Sequence, residues 1–493
     1  MVLSSGFGQC ELHQSSRQAI QHQTRTVTAS SAPKSPINAH TSAYINAATL
    51  GDIPKIPSPT LFEFETPEND NVGLPTVGEC AAHLELLQAF HHLLVKVSLS
   101  VSLDAVLGIE PEPRTVYRKE YISYVKGYSR KEVKLRDTTF YDRRKTKWDF
   151  YLALAATRFL VWAEAVEEMT DGPGGSQAMS LPLPPLDILM VWHALLLNSS
   201  WFRSFNGRKL KRLYDTPFPW KAIHEAIDAS NMHSPYNLPA EAVLWFEENT
   251  ALAPHLFETL VKTDKSIGLQ QVLKMHGAPG RSNDGSRGIK VEDVDAVLHG
   301  PSDLKEFEAS FLECCRGAIG KTTTVTRLVE AVQRQASFVN KMERQLWIRS
   351  PAVEGTLQRA IDRYGKFLKL FKLYPKMMLV PTLDIDLIWH THQCSPSRYD
   401  AGTMKVAGRR INHDDKLGET VLKPGLTSTK DLFRIRFGQE YQICQCWDCE
   451  ALLSAVNSHN SETPPDNTTI ARQVHDEVAY FRAVEIARRK RGT

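Results

Sequence analysis

The residues best suited to chemistry gather in the second half of the chain. Leu379–Tyr399 reads LVPTLDIDLIWHTHQCSPSRY and sets two carboxylates and two histidines between Pro381 and Pro396. On a helix, Asp386, His390, Gln393 and Cys394 fall at i, i+4, i+7 and i+8, along one face. A carboxylate one turn from an imidazole fixes its tautomer and raises its basicity, as a general base or a metal ligand requires. His392 then points elsewhere; on a strand, His390, His392 and Cys394 would share a face instead. Further on, Arg409–Asp415 reads RRINHDD and adds an imidazole, His413, beside two carboxylates, Asp414 and Asp415. His390, His392, His413, Asp414 and Asp415 together could furnish the two-histidine, one-carboxylate face of a divalent-ion centre, zinc or iron, with His390, His392, His413 and Asp414 as the expected ligands. His-Asp-Asp is equally an ordinary turn or N-cap composition. A third set, Cys444, Cys446 and Cys449, puts three thiols in six residues, enough to hold a structural zinc once a fourth ligand completes the tetrahedron; buried free thiols are the alternative.

One apparent motif fails. Gly317-Ala-Ile-Gly-Lys-Thr322 resembles a phosphate loop, but the position five before Gly320 is Cys315, where that loop needs glycine.

The elements that must hold these residues come in two copies. Pro184–Phe202 reads PPLDILMVWHALLLNSSWF, and Trp192-His193 matches Trp389-His390 at an offset of 197 residues. The first copy has Ala194, Leu195 and Leu196 where the second has Thr391, His392 and Gln393. Trp-His therefore reads as a repeat core, and the polar extension His392–Gln393, with Asp386, His413, Asp414 and Asp415, as the functional candidate. Upstream, AATRFLVWAEAV at 155–166 parallels AIDRYGKFLKLF at 360–371, each a helical pattern leading into a Trp-His segment. Two copies of a helix–loop–helix unit are expected.

The remaining chain frames those units. Residues 1–60 have few large apolar side chains, too few to offset chain entropy, and are expected to be a disordered arm. From Cys80, leucines at helical spacing (Leu84, Leu87, Leu93, Leu94) and Phe90 predict an amphipathic helix. Residues 114–147 hold twelve Lys/Arg against four Asp/Glu, interleaved with Tyr117, Tyr121, Tyr124, Tyr128, Phe140 and Tyr141. That composition suits anion or nucleic-acid binding, and equally a short strand pair with a solvated face. The expected layout is a first helical unit at 76–275, a linker at 276–300 around the Gly-rich 276–288, a second unit at 301–450, and a tail at 451–493 with a basic helix. The fold class is mainly α, with two related helix–loop–helix repeat units and minor β strands.

At 493 residues and 42% hydrophobic content the chain can fill substantial cores, and a net charge of +3 gives no whole-molecule case for polyanion binding. Eight dispersed cysteines fit a reducing compartment, no secretory signal opens the chain, and no apolar run is long enough to span a membrane. The expected location is cytoplasmic, with the nucleus as the alternative that Arg488–Arg491 (RRKR) suggests.

The two Trp-His segments, Cys80-Ala-Ala-His-Leu-Glu-Leu-Leu and Asn412-His-Asp-Asp415 resemble the glycine-rich-domain-containing protein-like family of plants and fungi, from about Thr76 to Glu450. PTLDIDLIWHTHQ and NHDD carry the resemblance most specifically, and the CWDCE ending looks like fungal members. In plants the family is linked to stress and developmental signalling, so the resemblance implies a domain more than a reaction. No glycine-rich tail follows the domain, with Gly at 27 of 493 residues. The resulting expectation is a non-catalytic interaction or regulatory protein with a protein or small-molecule partner. The alternatives are a metal-dependent enzyme, in fungal metabolism, using the His/Asp set, and anion or nucleic-acid binding through 114–147.

Overall fold

The computed structural model describes residues 56–65, 73–124, 126–169, 181–206, 210–229, 231, 235–262, 264–277, 288–301, 304–413, 419–458 and 467–491. These are mainly helical, with one two-stranded sheet, as expected. Ten helices position the candidate sites. They are α1 (Val77–Leu99), α2 (Phe140–Glu168), α3 (Leu186–Leu196), α4 (Thr323–Gln345), α5 (Val353–Leu373), α6 (Leu383–Gln393), α7 (Pro396–Ala407), α8 (Glu419–Phe437), α9 (Trp447–Ser458) and α10 (Asn467–Arg491). The strands are β1 (Arg114–Ile122) and β2 (Gly127–Leu135), paired antiparallel.

The repeat read from the sequence is physical. Helix α2 buries Leu152, Ala155, Phe159, Trp162, Ala163 and Val166, and α5 buries Leu357, Ala360, Tyr364, Phe367, Leu368 and Phe371, the same stripe at a constant offset. Each long helix packs on the short Trp-His helix that follows it, α2 on α3 and α5 on α6. Beside each stripe sits a buried arginine with matching duties. Arg158 Nε donates to Asp187 Oδ2 at 2.8 Å while its two other nitrogens donate to the carbonyls of Ala253 and Pro254. Arg363 Nε donates to Asp384 Oδ2 at 2.6 Å and its other nitrogens to the carbonyls of Glu440 and Tyr441, in the loop after α8. Both aspartates belong to the Leu-Asp-Ile triplets that open α3 and α6, where a carboxylate also meets the positive end of the helix dipole.

Helix α1 is the wedge between the copies, packing on α2, α4, α5 and α6. Thr76 opens it with a capping box: its hydroxyl accepts from Glu79 N–H, and the Glu79 carboxylate accepts from Thr76 N–H at 2.8 Å. The expected amphipathic helix forms, but its first half is buried on every face, Cys80 through Phe90. Its polar residues stay inside because each finds a partner: His83 in Thr391 and His193, Glu85 in His224, Gln88 in Arg349. Core residues of both units form one continuous cluster.

Of the expected N-terminal arm, residues 1–55 lie outside the described residues. Just beyond, Leu61 is buried, and Arg349 donates to the Ile56 carbonyl. The expected linker contains a helix, Val291–Leu298, packed on the next helix, Glu306–Ile319; residues 278–287 are not among those described. The latter helix swallows Gly317 of the false phosphate loop. A Cβ there would meet Thr157 of α2 at 2.8 Å, so this glycine serves close helix packing. No described helix is long and apolar enough to cross a membrane.

Candidate functional site

Helix α6 settles the two geometries open to its histidines. It runs Leu383–Gln393, so Asp386 and His390 stack one turn apart, with Nε2 of His390 3.6 Å from Oδ1 of Asp386. The loop after α7 brings in His413, whose Nε2 lies 2.9 Å from the same carboxylate oxygen. Asp386, His390 and His413 thus converge from residues 27 apart in sequence, and their donor atoms all lie within 4.8 Å of one another. Trp389 holds that loop in place. Its indole N–H donates to Tyr399 Oη at 2.8 Å, and the Tyr399 hydroxyl donates to the Ile411 carbonyl at 2.9 Å. The indole edge also rests against the His413 ring at a centroid distance of 4.7 Å. In the first copy Trp192 has no such task; its N–H lacks a partner among the described residues, and its ring packs on Trp162 and Phe218.

The other predicted residues go elsewhere. His392 turns to the opposite side of α6, its Nδ1 3.1 Å from Tyr364 Oη and its ring against Tyr399. Gln393 donates to the Leu197 carbonyl at 3.1 Å, tying the second Trp-His helix to the end of the first. Asp414 and Asp415 lie outside the described residues, so the observed carboxylate of the triad is Asp386.

A second histidine chain, not anticipated from the sequence, joins the copies through α1. Thr391 Oγ donates to the Leu387 carbonyl at 2.8 Å and therefore accepts from His83 Nδ1–H at 2.8 Å. Nε2 of His83 is then the acceptor, and His193 Nε2–H donates to it at 2.9 Å. The first Trp-His histidine is thereby bonded, through α1, to the residue that follows the second. Only the Cys80-Ala-Ala-His stretch carried a hint of this.

Burial sets the charges. It pushes His193 and His392 down to about 3, and drives His83 and His390 well below the ordinary imidazole value, so all four are neutral. Burial also pushes the Asp386 carboxyl up, but the hydrogen bond from His413 helps to hold the group below the ordinary carboxylate range. The result is an anion enclosed by imidazoles. Neither ring nitrogen of His390, nor Nδ1 of His413, has a hydrogen-bond partner among the described residues. Orphaned buried nitrogens cost about 1–3 kcal/mol each. A cation about 2 Å from each donor would use one of them and match the 2.9 and 3.6 Å spacings. The triad is closed: Asp386 is 1% exposed, His390 2% and His413 7%. A cleft of about 280 Å³ on the first unit, lined by Tyr151, Asp187, Tyr236 and Glu258, includes none of the three.

Two further predicted sets form. Cys444, Cys446 and Cys449 meet at the start of α9, their sulfurs within 4.8 Å of one another. Residues 114–135 form a ribbon with Tyr121 opposite Tyr128, Lys119 opposite Arg130 and Tyr117 opposite Glu132, so these six share one face. Tyr117, Tyr121 and Tyr128 are 67%, 56% and 74% exposed. Asp137 anchors its base, accepting from Glu112 N–H at 2.9 Å and Arg143 at 2.7 Å. The basic C-terminal run is partly engaged: Arg488 and Arg489 both pair with Glu485, and Arg489 also with Glu343.

Residues 304–401 match the family model described as "Glycine-rich domain-containing protein-like". The match takes in α4 to α6 and the second Trp-His segment, and ends before His413 and before the cysteines. Glycine-rich domain-containing protein 1 of Arabidopsis thaliana is 31% identical over 195 residues, 37% of this chain and 22% of that protein. Glycine-rich domain-containing protein 2 of the same plant is 36% identical over 149 residues, 29% of this chain and 18% of that protein. The chain thus spans about a fifth of the length of the curated relatives it matches. No solved structure matches.

Proposed function

We propose, for a chain whose residues 304–401 match the glycine-rich-domain-containing protein-like family model, a non-catalytic interaction protein. In this reading the Trp-His helices form a rigid centre and the β1–β2 ribbon is the working surface. The observation that carries it is the closure of the Asp386–His390–His413 triad. A reacting substrate needs a concave site that admits it, and these side chains are sealed beneath Phe338, Trp389 and their own helices.

The ribbon has the opposite character. It carries seven Lys/Arg against two Glu, and its tyrosine face alternates rings with Lys119, Arg130 and Lys134. Exposed rings between cations suit a single nucleic-acid strand, whose bases stack and whose phosphates pair. The test is fluorescence anisotropy of a labelled single-stranded oligonucleotide across a salt series. Binding should weaken steeply with salt and fall at least tenfold in Tyr121→Ala/Arg130→Glu. Salt-insensitive or absent binding removes the nucleic-acid partner and turns attention to an acidic peptide.

A second reading, favoured by the unpartnered nitrogens of His390, makes the triad a divalent-ion centre that stiffens the fold without reacting. The His/His/carboxylate set suits zinc or iron(II). Elemental analysis should then find about one equivalent of metal that survives in Cys444→Ser/Cys449→Ser and is lost in His413→Ala. Unchanged metal content in His413→Ala would remove the ion from this centre.

A further inference from the structure

We infer that Cys444, Cys446 and Cys449 form a zinc site with one open coordination position, which fastens α9 and α10 to the body. Cys446 and Cys449 flank the first turn of α9, and Cys444 folds back so that its sulfur lies 3.4 Å from that of Cys446. Thiolates about 2.3 Å from one zinc ion are separated by just under 4 Å, so the cluster needs only slight opening to take the ion. Three converging thiols with no disulfide among them are the donor set of a thiophilic d10 cation.

The loop that carries them is fixed before any ion arrives. Trp347 Nε1–H donates to the Gln445 carbonyl at 2.9 Å, and Trp447 Nε1–H donates to the Gln345 carbonyl at 2.8 Å, a reciprocal pair of straps. Arg359 braces the next residues, pairing with the Glu450 carboxylate and donating to its carbonyl. Ligands held this way lose little freedom on binding. Among the described residues the cluster has three donors, and Cys444 and Cys446 are half-exposed while Cys449 is buried. The fourth position therefore faces outward, where water or a donor from a partner protein completes the tetrahedron. The ion would add its binding energy to a small region, because α9 and α10 share a separate core of Ala352, Trp447, Ala451, Ile470, Val474 and Val478.

The experiment loads the reduced full-length chain with Co2+ in place of zinc and reads the thiolate-to-metal charge-transfer band. One equivalent should saturate it, added Zn2+ should abolish it, and Cys446→Ser should weaken it at least tenfold. His413→Ala should leave it intact, which separates this site from the triad. Should Cys446→Ser fail to fold, the wild type decides alone: a thiol-blocking mercurial should release one equivalent of zinc. Absence of the band with all thiols reduced, or a band unchanged in Cys446→Ser, overturns the site.

Discussion

At the scale of single residues, the buried arginines give the sharpest expectation. Arg158 and Arg363 each pair with the aspartate of a Leu-Asp-Ile triplet and each satisfy two loop carbonyls. Removing the cation strands a buried carboxylate, a loss of about 3–5 kcal/mol, whereas replacing both partners with apolar groups costs much less. Arg363→Met should therefore destabilise more than Arg363→Met/Asp384→Leu by denaturant titration, and Arg158→Met should behave alike in the first copy. A double variant as unstable as the single would show that the loop carbonyls, not the ion pair, matter most. His390 poses a different question. With two unpartnered nitrogens and no hydrogen bond to lose, His390→Leu should leave metal-free protein at least as stable, while His83→Leu, which breaks a chain of two bonds, should lower the melting temperature clearly.

At the scale of elements, the ribbon and the helices it leaves are independent. Two strands alone are marginal in water, and this pair is held mainly at its base through Asp137. Replacing Tyr117, Tyr121 and Tyr128 by serine should leave the melting temperature within about a degree, since exposed side chains contribute little to folding. A large drop would mean that the tyrosine face packs on something in the folded chain and is not a free surface. The short helices α3 and α6 are the reverse case, buried almost throughout, and their polar residues are tolerated only because partners arrive from α1, α2, α5 and the loop at 411–413.

At the scale of the whole molecule, the buried histidines set a pH dependence. Each of His83, His193, His390 and His392 is neutral when folded but protonates near 6.5 once unfolded. The unfolded chain then binds more protons, so stability falls as the pH drops below 6.5. For His193 and His392 the loss continues until the folded values near 3 are reached. Each contributes about 1.4 kcal/mol per pH unit in that window. Melting temperature should be level above pH 7 and decline steeply between pH 6 and 4, and His193→Gln should flatten the slope. An unchanged slope in that variant would move the acid sensitivity to other groups.

Local pattern made a good part of this legible. The helical stripes, the two Trp-His copies, the strand pair at 114–135 and the alignment of Asp386 with His390 follow from periods of 3.6 and 2, which side chains obey wherever the backbone goes. The family resemblance, too, rests on letters in order, and residues 304–401 bear it. Which of several histidines meet was decided elsewhere. By pattern His392 belongs to the functional extension and His390 to the repeat core, yet the helix sets His390 beside Asp386 and turns His392 about 200° farther round, to Tyr364. His413 reaches Asp386 because Trp389, through Tyr399, pins a loop, and His83 reaches His193 because α1 is driven between the copies. The histidine contacts among them join residues 27 to 110 apart in sequence, and a periodicity records only which way a side chain faces. Whether a polar residue in an apolar run is a core member or a ligand depends on what the rest of the chain packs against it, and that is settled by the burial of one continuous core.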